Sequence, residues 1–220
     1  MPSFIFIALS VLPVSKFIQG QVVYSAYVLP GIIAMTIMQG GIYGLAYWMT
    51  DMKALGVIKR FLVTPFKTYE LVLSLVAART VVMFGQVIIL TLLGLLFFKA
   101  HFAGNIISTL ILVIIGGAIF LLAGLLIANY ASSYDTAAPI TTAIGLPMTF
   151  LGNVFYPIDN LPHALKLVAK CLPITYLADG LRQVYLYPFN FHLIAKDLVI
   201  LCLWLAGMLI VTISLFRLKE

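Results

Sequence analysis

Charge is what this chain has least of: only 9 % of its 220 residues are Asp, Glu, Lys or Arg, against roughly 25 % in soluble domains. With 63 % apolar residues and a mean hydropathy of +1.14, that scarcity excludes an ordinary soluble fold and places the chain in a membrane. Two cysteines, Cys171 and Cys202, fall on different expected helices at no metal-ligand spacing, so they read as small apolar residues. The three histidines, His101, His163 and His192, occupy separate segments with no Glu or Cys at ligand distance, and no metal site is indicated. None of the seven acids, Asp51, Glu70, Asp135, Asp159, Asp179, Asp197 and Glu220, falls in an expected span. That argues against proton- or sodium-coupled transport, which draws on intramembrane ionisable groups. No Ser, His and Asp set suggests a hydrolase. Not one of the sixteen glycines precedes a lysine, so the GxxxxGK[ST] phosphate loop cannot occur and ATP, if used, is bound by another polypeptide. The net charge of +6 is spread over loops without a basic stripe, so nucleic acid is not an expected partner.

What is present is a succession of apolar runs. Residues 24–48, 71–98, 106–130, 137–155 and 198–216 are each long enough to approach or exceed the roughly 20 residues a transmembrane helix needs. A sixth run, 4–14, is too short to cross a layer about 30 Å thick at about 1.5 Å per residue. The expectation is an all-α polytopic membrane protein of about six spans, the first one short, forming one domain over 1–220.

Orientation follows from Lys and Arg. With the loop at 51–70 and the C-terminal tail inside, Lys53, Lys59, Arg60, Lys67, Arg79, Arg217 and Lys219 lie on or near the cytoplasmic side. Most of the remaining cations fall in the long segment 155–198, and long segments translocate with little regard to charge. Arg79 reads as a boundary cation reaching head groups from a tilted span.

The loop 51–70 holds six charged residues. On a helical wheel Ala54, Leu55, Val57, Ile58, Phe61 and Leu62 share one arc, and Lys53, Gly56, Lys59 and Arg60 the other, up to a stop at Pro65. Periodicity leaves two readings open: an interfacial helix on anionic lipid, or a rigid knob seated on a cytoplasmic partner. The outer segment repeats the pattern. Leu161, Leu165, Val168 and Leu172 form a stripe opposite His163, Lys166 and Lys170; Pro173 ends that helix, Thr175 can cap the next, and Asp179 pairs with Arg182 at i, i+3. Two short helices in the outer leaflet boundary are expected, as covers for the span tops or as ligand contacts. Within the spans Gln39, Gln86 and Asn153 are candidate substrate-path residues, with interhelical hydrogen bonding the plainer role. Gly40 and Gly44 form a small-xxx-small pair suited to helix or dimer contact.

"LPGIIAM" at 29–35, "GVIKRFLVTPF" at 56–66 and "NVFYPIDNLPHALKLVAKCLPITYLADGLRQVYLYP" at 153–188 together resemble the ABC-2 type transporter permeases, membrane subunits of ATP-driven exporters. The resemblance runs from about residue 24 to the C-terminus. It implies six spans with both termini cytoplasmic, a second permease copy or paralogue, and partner ATPase subunits that bind ATP and Mg while this chain carries no cofactor and is no enzyme. It implies that Leu55, Gly56, Val57, Ile58, Lys59, Arg60, Phe61 and Leu62 form a coupling helix on the ATPase. It also implies that 161–172 and 176–187, with Pro157, Pro162, Pro173, Asp179 and Arg182, form an external cap near substrate exit. Two departures stand out: the family's cytoplasmic first helix and full first span have no counterpart, and Asp51 is the only acid ahead of the coupling glycine.

The expected function is therefore outward movement of an amphipathic or lipid-like substrate across a bacterial-type plasma (inner) membrane, by alternating access powered by a separate subunit. Three alternatives stand beside it: an ATP-independent channel or carrier, an inactive N-terminally truncated permease, and a membrane enzyme built on Asp179, Arg182 and His192.

Overall fold

The computed structural model describes residues 24–57, 68–98, 105–155, 157–158, 162–186 and 191–215. Within them lie seven helices and no strand: α1 (Tyr24–Ala54), α2 (Thr68–Phe98), α3 (Ile106–Tyr130), α4 (Tyr134–Leu151), α5 (His163–Lys170), α6 (Pro173–Leu186) and α7 (Phe191–Leu215). The expected short span at 4–14 lies outside the described residues. Four of the seven helices, α1, α2, α3 and α7, are long and apolar enough to cross a bilayer.

Several helix ends have local causes. Asn105 caps α3 by accepting from the Ile107 amide at 2.8 Å, and the Thr136 hydroxyl accepts from the Ser133 amide at 3.1 Å to start α4. α1 ends at Gly56, whose φ of +66° is costly for any residue with a Cβ. The Leu55 and Gly56 amides fold back onto the Asp51 and Lys53 carbonyls.

The fourth run was expected to stay helical over 137–155. Instead α4 is 18 residues long, about 27 Å, and stops at Leu151. Asn153 takes a φ of +56°, which asparagine tolerates better than most residues. The turn tucks Val154 so close to α1 that a Cβ on Gly31 would strike the Val154 carbonyl.

α1 is the hub, packing on α2, α3, α4 and α6, with Ile33, Met38, Ile42, Leu45 and Met49 fully buried along its length. Between oil and oil the hydrophobic effect cannot choose which faces meet, so close packing does. Backbones nearly touch at Gly41, where a Cβ would lie 2.6 Å from Phe120 Cβ and 2.7 Å from the Phe120 carbonyl carbon. A Cβ on Gly124 would in turn strike the Gly41 carbonyl. Gly40 and Gly44, the pair singled out in the sequence, face α2 of the same chain: Met83 and Gln86 lie over Gly40, and Arg79 over Gly44.

α6 is more enclosed than a surface cover need be: most of its residues from Pro173 to Tyr185 are buried and it packs on α1, α3 and α7, while α5 remains mostly exposed. Pro173 begins α6 instead of only ending α5; its missing N–H is no loss at a first helical position. Thr175 is not a cap, for its hydroxyl donates at 2.6 Å to the Ala169 carbonyl and ties the two helices together.

Candidate functional site

The buried face of α6 carries a polar cluster. Arg182 is only 8 % exposed, and a guanidinium in such a place needs partners for its donors. Nη1 donates to Asp179 Oδ1 at 2.9 Å, Nη2 to the Asn153 carbonyl at 2.8 Å, and Nε to the Tyr27 carbonyl at 3.3 Å. Its carbon centre stands 3.7 Å from the centroid of the Tyr27 ring. Tyr27 donates through its hydroxyl to Asn153 Oδ1 at 2.9 Å, and Asn153 donates through Nδ2 to Asp179. Burial pulls the Arg182 pKa down from its ordinary value, while Tyr27 and Asp179 push it back; the group stays a cation. One cation thus joins the start of α1, the positive-φ turn after α4 and α6. The opposite side of α6 is pinned too, since Gln183 Nε2 donates to Asp197 Oδ2 of α7 at 3.0 Å.

Asp197 corrects the expectation that no acid lies inside a span. α7 begins at Phe191, seven residues before the expected start of that run, and Asp197 is 5 % exposed within it. Arg79, expected as a boundary cation, has a partner the sequence did not indicate: its guanidinium sits 4.9 Å from the Trp48 ring centroid of α1, stacked across the neighbouring helix.

The far end of the bundle gathers the other helix termini. Lys53 Nζ donates to the Ala128 carbonyl, one of the last four of α3, where a cation also meets the negative end of the helix dipole. Asn129 Nδ2 donates to the Leu215 carbonyl at 3.0 Å, so the end of α7 lies beside that of α3. Tyr47 and Thr141 pair their hydroxyls at 2.8 Å, and the Tyr47 ring packs 4.8 Å from Tyr134. The end of α1, the α3–α4 turn and the end of α7 therefore share one face of the bundle.

The expected coupling residues begin on that face. Leu55 and Gly56 form the turn that ends α1, with Leu55 71 % exposed; Val57 follows, and Ile58, Lys59, Arg60, Phe61 and Leu62 lie outside the described residues. The expected substrate-path residues are not brought together. Gln86 lies by Gly40, one residue from Gln39, whereas Asn153 sits beside Tyr27, twelve positions or about 18 Å back along α1. Pro157 is half-buried, Pro162 precedes α5 and is exposed, and the His192 side chain lies outside the described residues.

Sequence reading paired Asp179 with Arg182 and flagged Asn153 apart from them, without foreseeing that Asn153 joins the pair. An arginine in an otherwise apolar segment was a usable signal, because a buried cation needs acceptors. Tyr27 gave none, being one aromatic in an apolar run. Also unforeseen was a hydroxyl pair at 2.6 Å between Thr91 of α2 and Tyr185 of α6.

The family model described as ABC-2 type transporter matches residues 2–186. Inner membrane transport permease YadH of Escherichia coli (strain K12) is 28 % identical over 165 residues, 74 % of this chain and 63 % of that protein. Probable multidrug ABC transporter permease YbhR of the same organism is 23 % identical over 175 residues, 80 % of this chain and 48 % of that protein. Nodulation protein J of Rhizobium leguminosarum bv. viciae is 28 % identical over 103 residues, 47 % and 39 % of the two chains. The chain spans at most 63 % of the length of these relatives.

Proposed function

The chain belongs to the ABC-2 type transporter family, and from that premise we propose that it is the permease subunit of an exporter in a bacterial-type inner membrane, driven by a separate ATP-binding cassette subunit. Its relatives are transport permeases, and its own helices are long and apolar enough to span. In this reading ATP and Mg bind the partner, and residues 55–62 form the contact through which its movement arrives. The substrate is amphipathic or lipid-like, and a second permease copy or paralogue completes the path.

The observation that carries the reading is the run of α1. It extends without a break in its helix from Tyr27, held by Arg182, to the turn at Leu55–Gly56, about 40 Å of helix. A push at the cytoplasmic turn is delivered to the polar cluster at the far end. Work is transmitted only if the partner binds the two positions of that lever with different free energy.

The test is co-expression with an ATP-binding cassette subunit encoded in the same genome followed by purification through a tag on the permease. Ile58→Asp together with Phe61→Asp is expected to abolish recovery of the ATPase while membrane insertion persists. Undiminished recovery would refute the docking role. Transport by reconstituted permease without any ATPase would instead favour a channel or carrier.

A further inference from the structure

The seam between α2 and α3 is not closed by side chains. A cavity of about 260 Å³ is lined by Phe84, Ile88, Leu92, Leu110 and Val113, with Tyr185 of α6 behind it. A second of about 120 Å³ continues along the seam past Thr80, Met83 and Gly117, and Phe84 and Val113 line both. The α2 lining runs from Val76 to Leu95, about 28 Å of helix, close to the thickness of bilayer hydrocarbon.

Its few hydroxyls already have partners. Thr91 pairs with Tyr185 at 2.6 Å, Thr80 donates to the Val76 carbonyl at 2.8 Å, and Thr109 to the Asn105 carbonyl at 3.3 Å. An occupant therefore needs no polar group. The mouth is flanked by Ile88, Leu92 and Leu110, exposed by 56 %, 50 % and 42 %, on two helices fit to span a membrane. What those residues meet is hydrocarbon. An apolar void left empty there forfeits dispersion contacts on every wall, and a dry apolar cavity of about 150 Å³ already holds a benzene-sized guest. Cavities of about 260 and 120 Å³ hold far less than a helix about 10 Å across would fill over that length; a single extended hydrocarbon chain is slimmer.

We propose that the α2–α3 seam binds one acyl chain of a membrane phospholipid, which enters sideways from the bilayer, lies between Phe84 and Leu110 and packs against the Tyr185 ring. The site shares no residue with 55–62 or with the Arg182 cluster, so it stands whether or not the transport reading does. Because α2 follows directly on the 55–67 segment, the chain acts as a spacer setting how near α2 comes to α3.

The test reconstitutes the full chain in nanodiscs of phosphatidylethanolamine and phosphatidylglycerol doped with a phospholipid bearing a diazirine on its acyl chain. After irradiation, adducts are mapped by peptide mass spectrometry. Residues 84–95 and 106–113 are expected to carry at least about threefold more adduct than 203–213 of α7, since a chain held on several walls dwells longer than one on an open face. That α7 stretch is the control because its Leu203 and Ile213 are 67 % and 78 % exposed. Leu110→Trp, which fills the slot from its mouth, is expected to remove that excess and leave α7 labelling unchanged. Equal labelling of both faces in the unaltered chain, or an excess that survives Leu110→Trp, overturns the proposal. So does a seam free of adduct whose Leu92→Cys variant cross-links to a second copy.

Discussion

Replacing Arg182 with methionine removes the one cation that holds α1, the Asn153 turn and α6 together, while keeping most of the side-chain volume. Three donated hydrogen bonds go at once, to Asp179, to the Asn153 carbonyl and to the Tyr27 carbonyl, along with the stacking on Tyr27. Removing one partner of a buried pair costs about 3–5 kcal/mol, mainly because the other charge is left behind. Asp179 has a side chain 31 % exposed and keeps its bond from Asn153, so its stranded charge is partly solvated and the loss falls near the lower end, about 3 kcal/mol. Arg182→Lys retains the charge but not the planar fork and loses about half as much. Asp179→Asn added to Arg182→Met removes the stranded charge, so the double variant recovers about 1–2 kcal/mol relative to the sum of the single changes. Reversible unfolding in mixed micelles with rising sodium dodecyl sulfate, followed by the fluorescence of Trp48 and Trp204, measures all four proteins. An Arg182→Met variant within about 1 kcal/mol of the parent, or single losses that simply add, would refute the claim that this cluster is a coupled, buried unit.

Three further outcomes follow from the same geometry. Gly41→Ala forces α1 from α3 and is expected to cost about 2–3 kcal/mol by overpacking, whereas Gly85→Ala, where nothing lies within 4 Å, is neutral or stabilising by up to about 1 kcal/mol; the same unfolding assay separates them. Thr91→Val leaves the Tyr185 hydroxyl without its 2.6 Å partner, and a loss of about 1 kcal/mol is expected there, with none for Thr91→Ser. With Cys171 and Cys202 replaced by alanine, a cysteine at Leu55 reacts with an impermeant maleimide only from the cytoplasmic side of vesicles, and one at Val168 only from the other. Labelling of both from one side would overturn the assigned orientation.

The membrane class and most helices were legible because they depend on composition: any run of apolar residues long enough to cross hydrocarbon forms a helix, since no water is there to satisfy its backbone. So 106–130 appears in the structure as α3 with the expected ends, and the pairing of Asp179 with Arg182 at i, i+3 is a matter of helical spacing alone. Boundaries set by chain turning were not legible. Asn153 leaves the helix at a positive φ because Val154 has a place against Gly31, and Asp197 joins α7 because Gln183 is there to bond it.

By itself the sequence determined that the chain lives in oil, that it folds as long apolar helices, and that none of its own glycines opens a GxxxxGK[ST] loop. Only the tertiary structure decided that α1 is the hub, that Gly41 rather than Gly40 or Gly44 meets the backbone of α3, and that α6 packs against three other helices. The physical reason is that helices apolar on every side carry no stripe to say which face turns inward. Where burial in protein and burial in lipid are worth nearly the same, backbone proximity at a glycine and the partners of one buried arginine make the choice.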